Sequence, residues 1–387
     1  MILIKTILSI FPFDLARQGG LEVQAASIIN GLAEMGNTMI VILPEGSEWH
    51  GTGNVIIYRL PCAGLHVDPW RGLGFVLQNC GDIGNIIINH SIDLVHIHST
   101  PSTAGYAYLF KKGFVIPVLL TNHGAMSDNK EYLKWRCTPT ELLRQFGRIL
   151  PIQWLEKLDI RSAVNITVVS RSLLHIREDA ILIPNTFDPI LFNLYANPSK
   201  LTWRKNMVIC PGRISPEKGQ QVLIEALPRI PKEIRDNLMV LFVGNDHLKS
   251  SISLLKRSRD LDINRYVGFF GASDHTNMPV LYKSADVIVV PSLVESFGLV
   301  VLENLALGNV VVASNVGGIP ELIADGVNGL LVPPGNPEEL AKAIVRVLTD
   351  TELRDRIKQN GPASAEKYNV KNIIPLYDAL ISEMVGG

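Results

Sequence analysis

The chain has 387 residues, 47% of them hydrophobic and 19% charged, and its 36 Lys+Arg and 37 Asp+Glu leave a formal net charge of −1. That length exceeds what one hydrophobic core usually supports, so two domains are expected. The balanced charge excludes a global field for nucleic acid, so any anion site must be local.

The apolar run Ile2–Ile10 is interrupted afterwards by Pro12 and Asp14, and no A-x-A-like cleavage site follows. It reads as the first strand of a parallel sheet rather than a signal peptide. Further strands are expected at Thr38–Leu43, Val55–Leu60, Asp93–His98, Val115–Thr121 and Ile166–Ser170. Between the first two, Leu21, Ala25, Ile28, Ile29 and Leu32 recur at helical spacing until Gly36 stops the pattern.

The second half repeats the rhythm, with strands at Met207–Pro211, Met239–Val243, Tyr266–Phe270, Val287–Val290, Val310–Ala313 and Leu330–Val332. Alternating strands and helices predict an α/β protein of two doubly wound parallel sheets, with ligands at the carboxyl ends of the strands. A seam is expected near Phe187–Asn206, dividing residues 1–186 from 187–368. The helical pattern of 369–387 is predicted to pack back across that seam. No apolar stretch reaches the ~18 residues of a membrane span. Cys62, Cys80, Cys137 and Cys210 lie far apart with no CxxC pair, which suits reduced thiols in a cytoplasmic protein.

Two segments carry the chemistry. Arg213 and Lys218 follow the strand Met207–Pro211, where two fixed cations can stabilise a departing diphosphate without a metal. Glu295-Ser296-Phe297-Gly298-Leu299-Val300 leads into a helix running to about Leu307, whose first N–H groups, from Gly298 to Val300, would face the same diphosphate. Glu303 stands eight residues after Glu295, on the order of 10 Å by helical rise. That spacing suits one carboxylate on a sugar's hydroxyls and the other on a ribose diol. Gly19-Gly20, between the first strand and its helix, is a weaker candidate for phosphate approach.

These residues resemble those of the retaining glycosyltransferases of family 4, which have the two-domain GT-B fold. The resemblance rests on Gly19-Gly20-Leu21-Glu22, Gly212-Arg213 with Lys218-Gly219, Pro291-Ser292 with Glu295-Ser296-Phe297-Gly298 and Glu303, Gly317-Gly318-Ile319-Pro320-Glu321, and Asp325–Val332. It implies two Rossmann-like domains with a cleft between them: an N-terminal acceptor side and a C-terminal nucleotide-sugar side. It further implies a UDP-, GDP- or ADP-sugar donor, a saccharide or lipid-linked acceptor as in polysaccharide or glycolipid synthesis, retention at the anomeric carbon, and no metal or other cofactor. By that similarity Arg213 and Lys218 hold the diphosphate, Glu303 the ribose and Glu295 the sugar. His123, in Thr121-Asn122-His123-Gly124, matches the family's active-site histidine, and Asn185 matches a structural position near the seam. Gly268, in Tyr266–Gly271, falls in the strand that frames the base and leaves recognition there to backbone groups.

Departures and decoys accompany the match. Val243-Gly244-Asn245-Asp246 lacks the family's second glycine, and Asp246 would be unwelcome beside a phosphate. Asp260-Leu261-Asp262 spells a metal-binding Asp-x-Asp but sits in a charged helix-to-strand connection. His96 and His98 share a strand face, yet no third ligand is spaced to join them. From Lys130 to Arg161, seven cations against four anions are interleaved with Tyr132, Trp135, Phe146 and Trp154. A solvated helix face and a peripheral contact with anionic lipid both fit that segment. The loops Gly64–Trp70 and Ser127–Pro139 are expected to meet the acceptor. Two rival functions fit the same fold: an epimerase or phosphorylase acting on the sugar nucleotide, and a catalytically idle binding subunit.

Overall fold

A computed structural model of the chain describes residues 4–16, 19–62, 70–124, 139–189, 206–246 and 250–386. It separates into two compact units, Met1–Thr186 with Val370–Gly387, and Phe187–Asn369. The loop readings for 64–69 and 127–138, most of the 187–206 connection and Cys137 lie outside the described residues.

In the first unit, strands β1 (Thr6–Ile10), β2 (Thr38–Pro44), β3 (Val55–Leu60), β4 (Leu94–Ser99), β5 (Val118–Asn122), β6 (Asn165–Val168) and β7 (Ile181–Leu182) form one parallel sheet. Their order is β3-β2-β1-β4-β5-β6-β7, so the winding reverses between β1 and β4. Met39 to Leu43 are fully buried, because helices cover both faces of the sheet. The sequence pattern missed β7, whose two residues are too few to show a period.

Helix Gly20–Glu34 buries Ala25, Ile28, Ile29 and Leu32 on this sheet. The C-terminal helix Val370–Gly386 joins the same cluster through Ile373, Ile374, Tyr377, Leu380 and Ile381. Each buried aliphatic side chain there contributes about 1.5–3 kcal/mol. The helix is also tied electrostatically: Lys5 Nζ, on a side chain 2% exposed, donates to Asp378 Oδ1 at 2.6 Å, and Asn37 Nδ2 donates to the same oxygen at 2.9 Å.

In the second unit, β8 (Asn206–Pro211), β9 (Leu238–Val243), β10 (Val267–Gly271), β11 (Val287–Val290), β12 (Val311–Ser314) and β13 (Leu330–Val332) are likewise parallel. The order is β10-β9-β8-β11-β12-β13, with reversal between β8 and β11. Tyr266, expected in a strand, instead ends the short turn Asn264–Tyr266 with its ring buried, and pairing begins at Val267. In both units the reversal opens a crevice at the carboxyl ends of two strands, the usual ligand position of such sheets.

Candidate active site

The second unit's crevice lies between the loops that leave β8 and β11. Buried Gln220 shapes the first loop: its Nε2 donates to the Arg213 carbonyl at 2.8 Å, and its Oε1 accepts from the Ser215 N–H at 3.4 Å. Gly219 has φ +66°, and a Cβ there would stand 2.0 Å from the Pro291 carbonyl. Only glycine lets the two loops touch so closely. The contact is completed by the Leu293 N–H, which donates to the Glu217 carbonyl at 2.8 Å.

Lys218 Nζ then reaches Glu295 Oε2 at 2.7 Å, with side chains 25% and 15% exposed. Ser292 Oγ donates to the same oxygen at 3.4 Å. Glu295 is backed by Gly317, where a Cβ would fall 1.5 Å from the Glu295 carbonyl. Arg213 is placed differently. Its side chain is 64% exposed and meets Glu217 at 3.4 Å, leaving the guanidinium largely in solvent.

Gly298, at φ +101°, caps the helix Leu299–Ala306, and its left-handed backbone turns the chain into the first helical turn. The first N–H groups of that helix, around Leu299 and Val300, have no intrahelical partners. Phe297 points elsewhere: its ring is buried edge-on against Tyr368, so only its main chain is placed to serve a ligand. Glu303 is 7% exposed, and both its oxygens are engaged. Its Oε1 lies 2.8 Å from His275 Nε2, and Oε2 accepts from Tyr282 Oη at 3.0 Å. Burial works to lower the His275 pKa, but the hydrogen bond and charge of Glu303 raise it above 6.5 overall.

Gly268 sits inside the edge strand β10, three residues before the strand ends at Gly271. Asp246 is engaged locally: its carboxylate accepts from the backbone N–H groups of Ser250 and Ser251 at the start of helix Ser250–Asp260. Asp260 and Asp262 are both exposed at the other end of that helix. Among the described residues, no three His, Cys, Asp or Glu side chains gather as a metal group would require.

The first unit's crevice is bordered by Gly19, which caps helix Gly20–Glu34. Glu22 folds back over it, with Oε2 only 2.3 Å from where a Gly19 Cβ would stand. The helix terminus is thus faced by its own carboxylate, as its dipole favours. Beside it, His98 on β4 and His123 after β5 are joined, Nδ1 to Nε2, at 3.1 Å. His96 lies against His98, its ring tilted by 33° with centroids 4.3 Å apart, and bonds Thr121 Oγ1 through Nε2 at 2.7 Å. Thr121 continues to Thr167 at 2.8 Å, and the Tyr377 ring lies against His96 with centroids 5.8 Å apart. Burial drives the pKa of His96 down to about 3 and of His123 to about 4, and that of His98 well below 6.5, so all three rings are neutral at pH 7.

Comparison with known proteins decides the class. The model of the glycosyl transferases group 1 matches residues 195–364, and that of Glycosyltransferase Family 4 matches residues 18–185. The chain belongs to the family 4, group 1 glycosyltransferases. D-inositol 3-phosphate glycosyltransferase of Corynebacterium glutamicum is 29% identical, covering 95% of this chain and 94% of that one. Among solved structures, sucrose-phosphate synthase from Thermosynechococcus elongatus matches 99% of each chain at 23% identity and TM-score 0.81. Anabaena HepE in complex with UDP-glucose matches 98% of this chain and 99% of its own, at 22% identity and TM-score 0.74. The fold class is therefore α/β with two Rossmann-like units, as in GT-B glycosyltransferases.

Within this glycosyltransferase, the structure brings together Lys218 with Glu295, holds Glu303 on His275 and Tyr282, and leaves Arg213 on Glu217 in solvent. The family segments did not disclose Gln220, His275 and Tyr282; Ser292 lies in a matched segment, but that segment does not disclose its bond to Glu295. A buried glutamine beginning a helix, and a histidine opening the single turn His275–Asn277, carry no periodic signal. His98, weighed in the sequence only as a metal ligand beside His96, is bonded directly to His123.

Proposed function

We propose that this glycosyltransferase moves a hexosyl group from a nucleoside-diphosphate sugar to a hydroxyl acceptor, with retention of anomeric configuration and without an obligatory metal. The observation that carries this reading is the Lys218–Glu295 contact across the β8/β11 crevice. It sets a cation and a carboxylate side by side, as a diphosphate joined to a polyol requires. Lys218 and Arg213 neutralise the diphosphate, and the free N–H groups at Gly298, Leu299 and Val300 add their dipole. Arg213, largely solvated at rest, is free to turn onto the phosphates. Glu295 accepts from hydroxyls of the transferred sugar. Glu303, held by His275 and Tyr282, presents a fixed carboxylate to the ribose.

Glu295 is already bound to Lys218, which makes it a poor nucleophile and favours a route without a covalent sugar–enzyme bond. The departing phosphate oxygen then takes the acceptor's proton on the same face, and retention follows. The first unit serves the acceptor, while its Gly19 and Gly20 offer main-chain approach to a donor phosphate and its His123 serves the donor sugar.

The UDP-glucose named with Anabaena HepE supports a UDP-sugar among the UDP-, GDP- and ADP-sugar donors. The relative acting on D-inositol 3-phosphate supports a polyol or lipid-linked acceptor. Among the described residues no helix is long and apolar enough to cross a membrane. A peripheral contact is supported by exposed Leu150 and Trp154, which share a helix with exposed Lys157 and Arg161.

The test is transfer of radiolabelled sugar from UDP-, GDP- and ADP-sugars to a panel of saccharide, inositol and lipid-linked acceptors, with and without EDTA. Labelled glycoside of unchanged anomeric configuration, insensitive to EDTA, supports the reading. Isomerised donor, or tight binding without turnover, points instead to an epimerase or to an idle binding subunit.

A further inference from the structure

Gln220 is 1% exposed, and both hydrogen bonds of its side chain run back to the main chain of the preceding loop. Nε2 donates to the Arg213 carbonyl at 2.8 Å, and Oε1 accepts from the Ser215 N–H at 3.4 Å. Each backbone partner has a fixed polarity. A reversed amide would set donor against donor and acceptor against acceptor, so the backbone alone decides the orientation.

The two ends of that loop are anchored to different neighbours. At the Arg213 end, the Gly212 and Ile214 N–H groups donate to the Val243 and Asn245 carbonyls, each at 2.9 Å, where the chain leaves β9. At the Lys218 end, the Glu217 carbonyl accepts from the Leu293 N–H after β11, and Gly219 is pressed on Pro291. Between them lies the single turn Pro216–Lys218, closed by the Lys218 N–H on the Ser215 carbonyl at 3.0 Å. The Gln220 amide spans this interval. It fixes the root of Arg213 and leaves the guanidinium, on a side chain 64% exposed, in solvent.

We propose that Gln220 is a positioning residue for the donor diphosphate: its amide clasps the 213–219 loop so that Arg213 and Lys218 act on one diphosphate rather than on two separate anions. The inference rests on the reading above in which these two cations bind that group. An amide suits the task, because one donor and one acceptor satisfy two backbone groups without placing a charge beside the cations. Methionine, of similar length, would leave both backbone groups without that partner.

The experiment uses the full chain as wild type, Gln220→Met, Arg213→Gln and the double variant. Calorimetry measures binding of UDP, GDP and ADP, and NMR shift titration measures binding of uridine, guanosine and adenosine. We expect Gln220→Met to weaken the best-bound diphosphate about 10-fold, the worth of one misdirected charge-assisted bond, and to leave its nucleoside unchanged. In the Arg213→Gln background the same substitution should cost less than about 3-fold, because residues that act through one another are not additive. Unchanged diphosphate affinity in Gln220→Met, or the full loss in the Arg213→Gln background, would overturn the proposal. So would equal weakening of diphosphate and nucleoside, which marks a purely structural role. Wild type labelled with 15N-glutamine gives a readout independent of how the variant folds: the Gln220 Nε2 protons should exchange slowly with solvent, and exchange as fast as that of an exposed glutamine would refute the clasp. Wild type that binds no diphosphate more tightly than its nucleoside refutes the proposed function and this role with it. Diphosphate binding that falls in Arg213→Gln but not in Gln220→Met overturns the inference alone.

Discussion

Lys218 Nζ lies 2.7 Å from Glu295 Oε2, joining residues 77 positions apart across the point where the second sheet reverses its winding. The contact depends on two loops pressed together at Gly219 and Pro291. Both groups are only partly exposed, so they interact more strongly than a surface pair and remain accessible to a ligand.

Substituting either cation removes charge that grows in importance as the diphosphate departs. Lys218→Gln and Arg213→Gln should each lower kcat by about 10²–10³-fold, while circular dichroism and melting stay close to wild type. Turnover near wild type in both variants would contradict the assigned role.

The His275–Glu303 pair predicts a pH dependence of stability. The folded pKa of His275 is raised above 6.5: burial opposes the charged form, but the bond to Glu303 and its charge prevail. Its stabilisation is therefore fully present below 6.5 and is lost as pH rises through the raised folded value. The unfolding free energy of wild type minus that of His275→Gln should shrink between about pH 6 and pH 8. A difference that grows with pH would reverse the sign and refute the pairing.

Gly317→Ala tests the backing of Glu295. The new Cβ would fall 1.5 Å from the Glu295 carbonyl at a φ of +57°. Strain and overpacking together should cost at least ~2 kcal/mol in urea unfolding, with loss of donor binding. A substitution without effect on either would show that the two loops are not in contact.

The C-terminal helix is held by Lys5 and Asp378, with the Lys5 side chain 2% exposed. Asp378→Ala leaves a buried ammonium unpaired and should cost about 3–5 kcal/mol. Adding Lys5→Met should restore much of that, because the orphaned charge is gone. A single variant as stable as wild type in thermal melts would argue against the ion pair.

Much of this architecture was legible in the chain. Runs such as Met39–Leu43 and Val287–Val290 announce buried parallel strands because β-branched and aliphatic residues continue without polar alternation. The strand end before Arg213 and Lys218 and the helix start between Glu295 and Glu303 were legible, and the structure sets Lys218 against Glu295 while Arg213 lies on Glu217. What could not be read were relationships set by tertiary approach. Phe297 adjoins the polar segment in sequence, yet its ring serves the core against Tyr368. Asp246 looked hostile to phosphate, but it satisfies backbone N–H groups of its own following helix. His98 and His123 are 25 residues apart and meet only because β4 and β5 are neighbours in register, with His98 opposite Thr121.

The central claim is that the β8/β11 crevice binds the diphosphate through Lys218 and Arg213, and calorimetric titration with UDP, GDP and ADP tests it most directly. We expect at least one nucleotide to bind wild type, and Lys218→Gln and Arg213→Gln each to weaken it by about 10- to 100-fold, the worth of one charge-assisted bond to phosphate. Unchanged affinity in both variants would contradict the claim.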